Sequence, residues 1–216
     1  MKEIIGIHHV TCISGDAQEN LDFYTSVLGM RMVKKSVNQD SPDTYHLFFA
    51  DAEGHPGADL TFFPWPSMPR VRPGIGLSME VSLAIPSGTA SYWSERLAEQ
   101  GIAVRAEETR FGERTLIADD PHGLHIALIE TNDPREFTPW ERSPVPADRQ
   151  IRGLHGVRLW EHSLARTGAF LVNVLGFRSA GEENGWHRYV VGGGGSGAHL
   201  DIRGLPGERR GAWGVG

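Results

Sequence analysis

Val27-Leu28-Gly29-Met30-Arg31 returns 147 residues later as Val174-Leu175-Gly176-Phe177-Arg178, and the same spacing sets His8 on His155 and Val10 on Val157. Five residues can match by chance, but here the surroundings match too. Each copy closes an amphipathic helical stretch that follows a short apolar strand, and each leads into polar residues and further strand-like segments. In the clearer copy, Ile7 to Ile13 is β-branched and apolar enough for a strand. Ser14-Gly15-Asp16 breaks it, and Asp16 with Glu19 three residues on has the form of a capping box. Leu21, Tyr24 and Leu28 share one helical face, with Gly29 where a helix should stop. Strands are predicted at Arg31 to Val37, Tyr45 to Ala50 and Asp59 to Phe63, separated by turn-rich clusters. The unit is β-α-β-β-β, assigned to residues 1–66.

A second, more diverged unit is placed at 76–131. It has a strand from Leu77 to Ile85, a helix from Ser87 to Gln100 closed by Gly101, and strands at Ile102 to Ala106, Thr115 to Ala118 and Leu124 to Ile129. Asp120-Pro121-His122-Gly123 reads as a type I turn between the last two. Residues 132–150, with Pro134, Pro139, Pro144 and Pro146, form a linker. A third unit at 151–203 has strands at Leu154 to Trp160, Gly185 to Val191 and Ala198 to Ile202. The glycine run Gly192 to Gly195 precedes no helix start and is not read as a phosphate cradle.

The expected fold class is therefore α+β, built from repeated β-α-β-β-β modules. Such a sheet has one apolar face and needs a partner. Units one and two can pair, which leaves unit three alone with an exposed apolar sheet face. On this reading three modules are present of an expected four, and 204–216 is a tail leading to a missing fourth. A three-unit protein completed by dimerisation is the alternative.

Composition narrows the function. Of the 216 residues 39% are hydrophobic and 22% charged, an ordinary globular balance. No apolar run approaches the ~18 residues of a membrane helix, and Met1 to Gly6 carries no signal-peptide core. The single Cys12 excludes an intrachain disulfide framework and a cysteine-rich zinc site. A net charge of −6 with no basic block argues against nucleic acid and anionic membrane as partners. The expectation is a cytoplasmic protein acting on small molecules.

The pair His8-His9 in the first strand is the strongest chemical signal. Alternation would send His9 and Thr11 to one face, and His8, Val10 and Cys12 to the other, where the helix packs. A neutral imidazole on a rigid strand suits a borderline divalent metal. Taken alone, such a pair is more often structural than ligating. His46 is read as structural or pocket-facing with equal weight, and His122 and His125 as non-catalytic. Glu80 is expected to be a hydrogen-bonded or edge carboxylate and not a ligand, and Glu130 solvated. Phe63, Trp65, Trp93 and Trp140 are assigned to packing, and Cys12 to the role of a small buried hydrophobe.

Ile5-Gly6-Ile7-His8-His9-Val10-Thr11, Leu21-Asp22-Phe23-Tyr24 and Leu28-Gly29-Met30-Arg31 resemble the vicinal oxygen chelate superfamily of glyoxalase I, bleomycin- and fosfomycin-resistance proteins and type I extradiol dioxygenases. Val33-Lys34-Lys35-Ser36-Val37-Asn38-Gln39-Asp40, Thr44-Tyr45-His46-Leu47-Phe48-Phe49-Ala50-Asp51 and Leu60-Thr61-Phe62-Phe63-Pro64-Trp65-Pro66 look more specifically like the dioxygenases that open hydroquinones. The resemblance covers essentially the whole chain and is densest over 4–66.

It implies a ring-cleaving, extradiol-type dioxygenase of hydroquinone- or catechol-like diols. The implied partners are a small aromatic diol and O2, the metal is Fe(II) with Mn(II) as the other candidate, and a homo-oligomer is expected. The superfamily's metal histidine stands seven residues before the Asp that opens the helix, which is His9. His8 and Thr11 map to the catalytic and substrate-binding surroundings. The other two ligands, a His and a Glu, come in that group from a fourth unit; Gly156 and Ala127 occupy the matching places in units three and two. Two rival readings follow from the same superfamily: a Zn- or Ni-dependent glyoxalase-type lyase or isomerase, and a metal-free drug-sequestering protein.

Overall fold

The structure, a computed structural model, describes residues 3–216. Met1 and Lys2, the start of the N-terminal stretch read above, lie outside the described residues.

Unit one opens with β1 (His9–Ser14). Asp16 then stops the strand and starts a helix. Its carboxylate accepts hydrogen bonds from the backbone N–H of Gln18 at 2.8 Å and of Glu19 at 3.0 Å. Helix α1 (Ala17–Asp22) widens into a π-helical turn over Phe23–Val27, in which Leu28 N–H donates to the Phe23 carbonyl. That extra residue per turn lets Phe23 and Tyr24 both face inward, although they are adjacent in sequence. Gly29 follows at φ +70°, the left-handed conformation that ends the helix. The strands β2 (Arg31–Val37), β3 (Tyr45–Ala50) and β4 (Asp59–Pro64) complete a sheet of order β1-β4-β3-β2, with β1 and β4 parallel.

Unit two has β5 (Leu77–Pro86), α2 (Ala90–Glu99), β6 (Val104–Arg110), β7 (Glu113–Asp119) and β8 (His125–Thr131). Unit three has β9 (Gly153–Glu161), α3 (Leu164–Asn173), β10 (Arg178–Glu183), β11 (Trp186–Val190) and β12 (His199–Gly204). Glu130, expected to be solvated, instead accepts the N–H of Ala90 at 2.6 Å and so caps α2.

The partnering differs from the expectation that unit three stands alone. β5 and β9 run antiparallel as hydrogen-bonded neighbours and join units two and three into one eight-stranded sheet, β10-β11-β12-β9-β5-β8-β7-β6. Unit one keeps its own sheet, and its side chains share a core with unit two. Tyr24, Phe49, Leu60 and Phe62 belong to the same buried cluster as Leu83, Trp93, Leu97 and Leu116. Unit three has a small separate core under α3, formed by Leu171, Phe177, Val191, Ala198 and Ile202. Its other face is not the exposed apolar surface expected from an unpartnered sheet. It carries Arg158, Asp201 and His199, all buried, because the seam with β5 brings Glu80 and Arg110 across to meet them.

The segments leading out of β4 and β12 cross one another. Arg72 and Ala212 exchange both backbone hydrogen bonds, and Val71 N–H donates to the Val215 carbonyl. Gly74 and Gly214, 140 residues apart, sit at this crossing. A Cβ on Gly214 would lie 2.4 Å from the Pro69 carbonyl oxygen, and one on Gly74 2.5 Å from that of Arg209.

Candidate functional site

The site grows from the face of unit one's sheet opposite α1. Val10 and Cys12 pack towards the core, and burial pushes the Cys12 thiol up to about 12, with the Asp120 carboxylate adding to the shift. His9 and Thr11 alternate away from them. Register aligns Thr11 with Thr61 on β4. The Thr61 hydroxyl lies 2.9 Å from the Thr11 hydroxyl and 2.9 Å from His46 Nε2 on β3. Three side chains from three strands thus form one continuous hydrogen-bonded line. Hydroxyl protons rotate to suit their partners, so the line can be polarised in either direction.

His46 is held between aromatic rings, 4.0 Å from the Phe48 centroid and 4.3 Å from that of Phe63. Burial, and then the positive potentials of His9 and Lys34, hold its imidazole below the usual histidine range. It is therefore neutral at pH 7 and able to accept a proton. His46 was the undecided histidine of the sequence; the register of β3 against β4 places it in the site.

His9 is exposed at the start of β1. His8 does not lie on the opposite face as alternation suggested. The strand begins only at His9, and the two rings meet edge to face at 5.2 Å with their Nδ1 atoms 3.1 Å apart. Beneath them, Asp59 is paired in register with His9, and its Oδ1 is buried with no hydrogen-bond partner among the described residues. Burial raises the Asp59 pKa while His8 and His9 oppose that shift.

A cleft of about 530 Å³ runs along the edge of β1 and takes in both of its faces, Thr11, Ile13, Phe63 and Trp65 on one side and Val10 and Cys12 on the other, with Trp213 also on its border. Phe63, Asn38 and Asp40 also line an adjoining hollow that reaches His46. Phe63 and Trp65, assigned to packing from sequence, are walls of this cleft, whereas Trp93 is fully buried in the core. Glu80 is hydrogen-bonded as expected, to Arg110. His125 pairs with Asp119, and His122 with Glu19, both away from this sheet face.

As a metal centre the donor set is incomplete. Exposed at the start of β1, the His9 imidazole fits as a single ligand. No three His, Cys, Asp or Glu side chains converge on a metal-sized space among the described residues.

A family profile of the glyoxalase/bleomycin resistance protein/dioxygenase superfamily matches residues 6–128. The chain belongs to that superfamily. It is 39% identical over 188 residues to MhqO of Bacillus subtilis, a candidate ring-cleaving dioxygenase, covering 87% of this chain and 60% of the relative. It is 32% identical over 221 residues to the chlorohydroquinone/hydroquinone 1,2-dioxygenase of Sphingobium indicum, covering 100% of this chain and 68% of the relative. The chain spans 60% to 69% of the length of the curated relatives it matches. A crystal structure of a candidate dioxygenase from Bacillus subtilis superposes with a TM-score of 0.91 at 37% identity, over 100% of this chain and 68% of that one. Glyoxalase I from Zea mays superposes at 0.71 with 17% identity, over 95% of this chain and 70% of that one, which places both in one fold. No helix among the described residues is long and apolar enough to cross a membrane.

Proposed function

We propose that the protein is a ring-cleaving dioxygenase of hydroquinone-type aromatic diols. The observation that carries this reading is the line Thr11–Thr61–His46 beside an aromatic-walled cleft, in a chain related over its whole length to a hydroquinone 1,2-dioxygenase. Phe63 and Trp65 would hold the ring flat, and their apolar surface excludes water. A diol hydroxyl placed against Thr11 would pass its proton to the Thr11 oxygen as Thr11 donates to Thr61 and Thr61 to His46 Nε2. That leaves a phenolate on the substrate and an imidazolium at His46. Fe(II), or else Mn(II), would supply adjacent open positions for the diol oxygen and O2, with His9 as one protein ligand. His8, in contact with the His9 ring, would fix its orientation.

The two further ligands come, on this proposal, from outside the described residues. Either a fourth β-α-β-β-β unit or a second copy of the chain would supply them along β1, which has no strand on its outer side among the described residues. A cytoplasmic setting accords with the lone Cys12.

Oxygen uptake with hydroquinone tests the reading. A form carrying all three ligands should consume oxygen only when the diol is present, and His9→Ala should abolish this. The 216-residue chain should hold iron weakly. Hydroquinone-independent turnover of the methylglyoxal–glutathione hemithioacetal, or tight iron and full uptake in the His9→Ala protein, would overturn it.

A further inference from the structure

The seam between units two and three encloses a charged layer that the proposed chemistry does not use. Glu80 on β5 takes Arg110 on both carboxylate oxygens, at 2.5 and 3.1 Å. Asp201 on β12 takes Arg188 in the same two-pronged way, at 2.8 and 3.1 Å. Glu113 accepts from Arg188 at 3.1 Å and lies 3.2 Å from His155 Nε2. Glu108 pairs with Arg110. Each of these arginines therefore has its donors matched to carboxylates.

Arg158 on β9 is the exception. It lies between the two forked pairs and is only 8% exposed, yet its guanidinium makes no hydrogen bond among the described residues. Its closest carboxylate approaches, 3.6 Å to Asp201 Oδ2 and 4.0 Å to Glu80 Oε1, are both made by Nε. That leaves the Nη edge with no carboxylate of its own. The guanidinium is stacked 4.5 Å from the Trp186 ring centroid, which fixes its plane. It opens onto a cavity of about 340 Å³ whose other walls include Pro73, Met79, Trp160 and Trp186. The guanidinium faces this open cavity instead of a protein acceptor, and the fork geometry of Nη1 and Nη2 matches a carboxylate. The aromatic and thioether walls match a flat ring.

We propose that this cavity is a second ligand site, one that takes a small planar carboxylate with its carboxyl group on the Nη edge of Arg158 and its ring against Trp160 and Trp186. The site is lined by residues other than those of the Thr11–Thr61–His46 line. It needs no metal and no turnover, so it stands or falls apart from the dioxygenase reading.

Benzoate is the probe, with benzamide as its uncharged counterpart, each titrated calorimetrically into the purified chain. Benzoate should bind at one site with a Kd at or below about 1 mM. Benzamide should bind at least tenfold more weakly. Arg158→Lys keeps the charge but loses the fork, and it should weaken benzoate at least tenfold. Trp186→Phe supplies a second variant should Arg158→Lys fail to fold; it should weaken benzoate severalfold and remove the indole N–H signal that benzoate shifts most in the wild-type NMR spectrum. No benzoate binding to the wild type, equal binding of benzamide, or unchanged affinity in a folded Arg158→Lys protein would overturn the proposal.

Discussion

Thr61 is fully buried, and its hydroxyl joins Thr11 to His46. Thr61→Val keeps the shape and removes the link. Diol-dependent oxygen uptake by the metal-loaded enzyme should lose about 10²-fold in kcat, with KM nearly unchanged, because the cleft walls remain. An unaltered kcat would show that the line moves no proton. His199 offers a different residue-scale test. Burial, aided by His155 and Arg188 and opposed by Asp201, lowers its pKa to about 4. Unfolded, it titrates near its ordinary 6.5. Between those values the unfolded chain binds a proton that the folded chain does not, so stability falls as pH drops from 6.5 towards 4. The loss attributable to this group is up to about 3 kcal/mol. Urea unfolding at several pH values should show that slope, and His199→Gln should flatten it within the window.

At the level of elements, Gly29 is the sharpest lever. Its φ of +70° disfavours a side chain, and a Cβ there would lie 2.5 Å from Val145 Cγ2. Gly29→Ala should therefore destabilise by about 2 kcal/mol or more, measured by chemical unfolding, and a change within 0.5 kcal/mol would refute the packing account. The repeat of this glycine at Gly176 helped make the fold legible, as did the alternation that separated Thr11 from Cys12. β2 and β3 fall where the sequence places them, bounded by turn clusters; Leu47 and Phe49 of β3 alternate into the core, whereas β2 has no buried residue. β10 has no apolar alternation in its sequence, because Arg178 to Glu183 is polar and almost wholly exposed. The signal for it was Asn184-Gly185, whose paired positive φ values of 52° and 77° make the tight hairpin turn into β11. The seam of β5 with β9 left no local trace, since a strand's pattern records which face is buried and not which strand lies beside it. His46 was undecided for the same reason, because its place in the site depends on register across β3 and β4.

Across the whole molecule, stability is unevenly spread. Units one and two share one large core, whereas α3 covers a small separate one and leaves Phe170, Val172 and Val174 exposed. Amide exchange should therefore be fastest to open in α3 and β10, and slowest in β5 and β8. Equal protection of α3 and β5 would contradict this. Unit two meets both neighbours through side chains, and towards unit three it adds a strand-to-strand ladder of backbone hydrogen bonds. That interleaving constrains ancestry as well as folding. Were the three units separate beads, a duplicated gene could exchange or diverge any one of them freely. Here a recombination crossover at residues 67–75 would preserve the eight-stranded sheet and mismatch a core, while one at 132–152 would preserve that core and mismatch the seam. The middle copy can change only in step with both of its siblings, and sequence drift should be most tolerated at the far rim of the third.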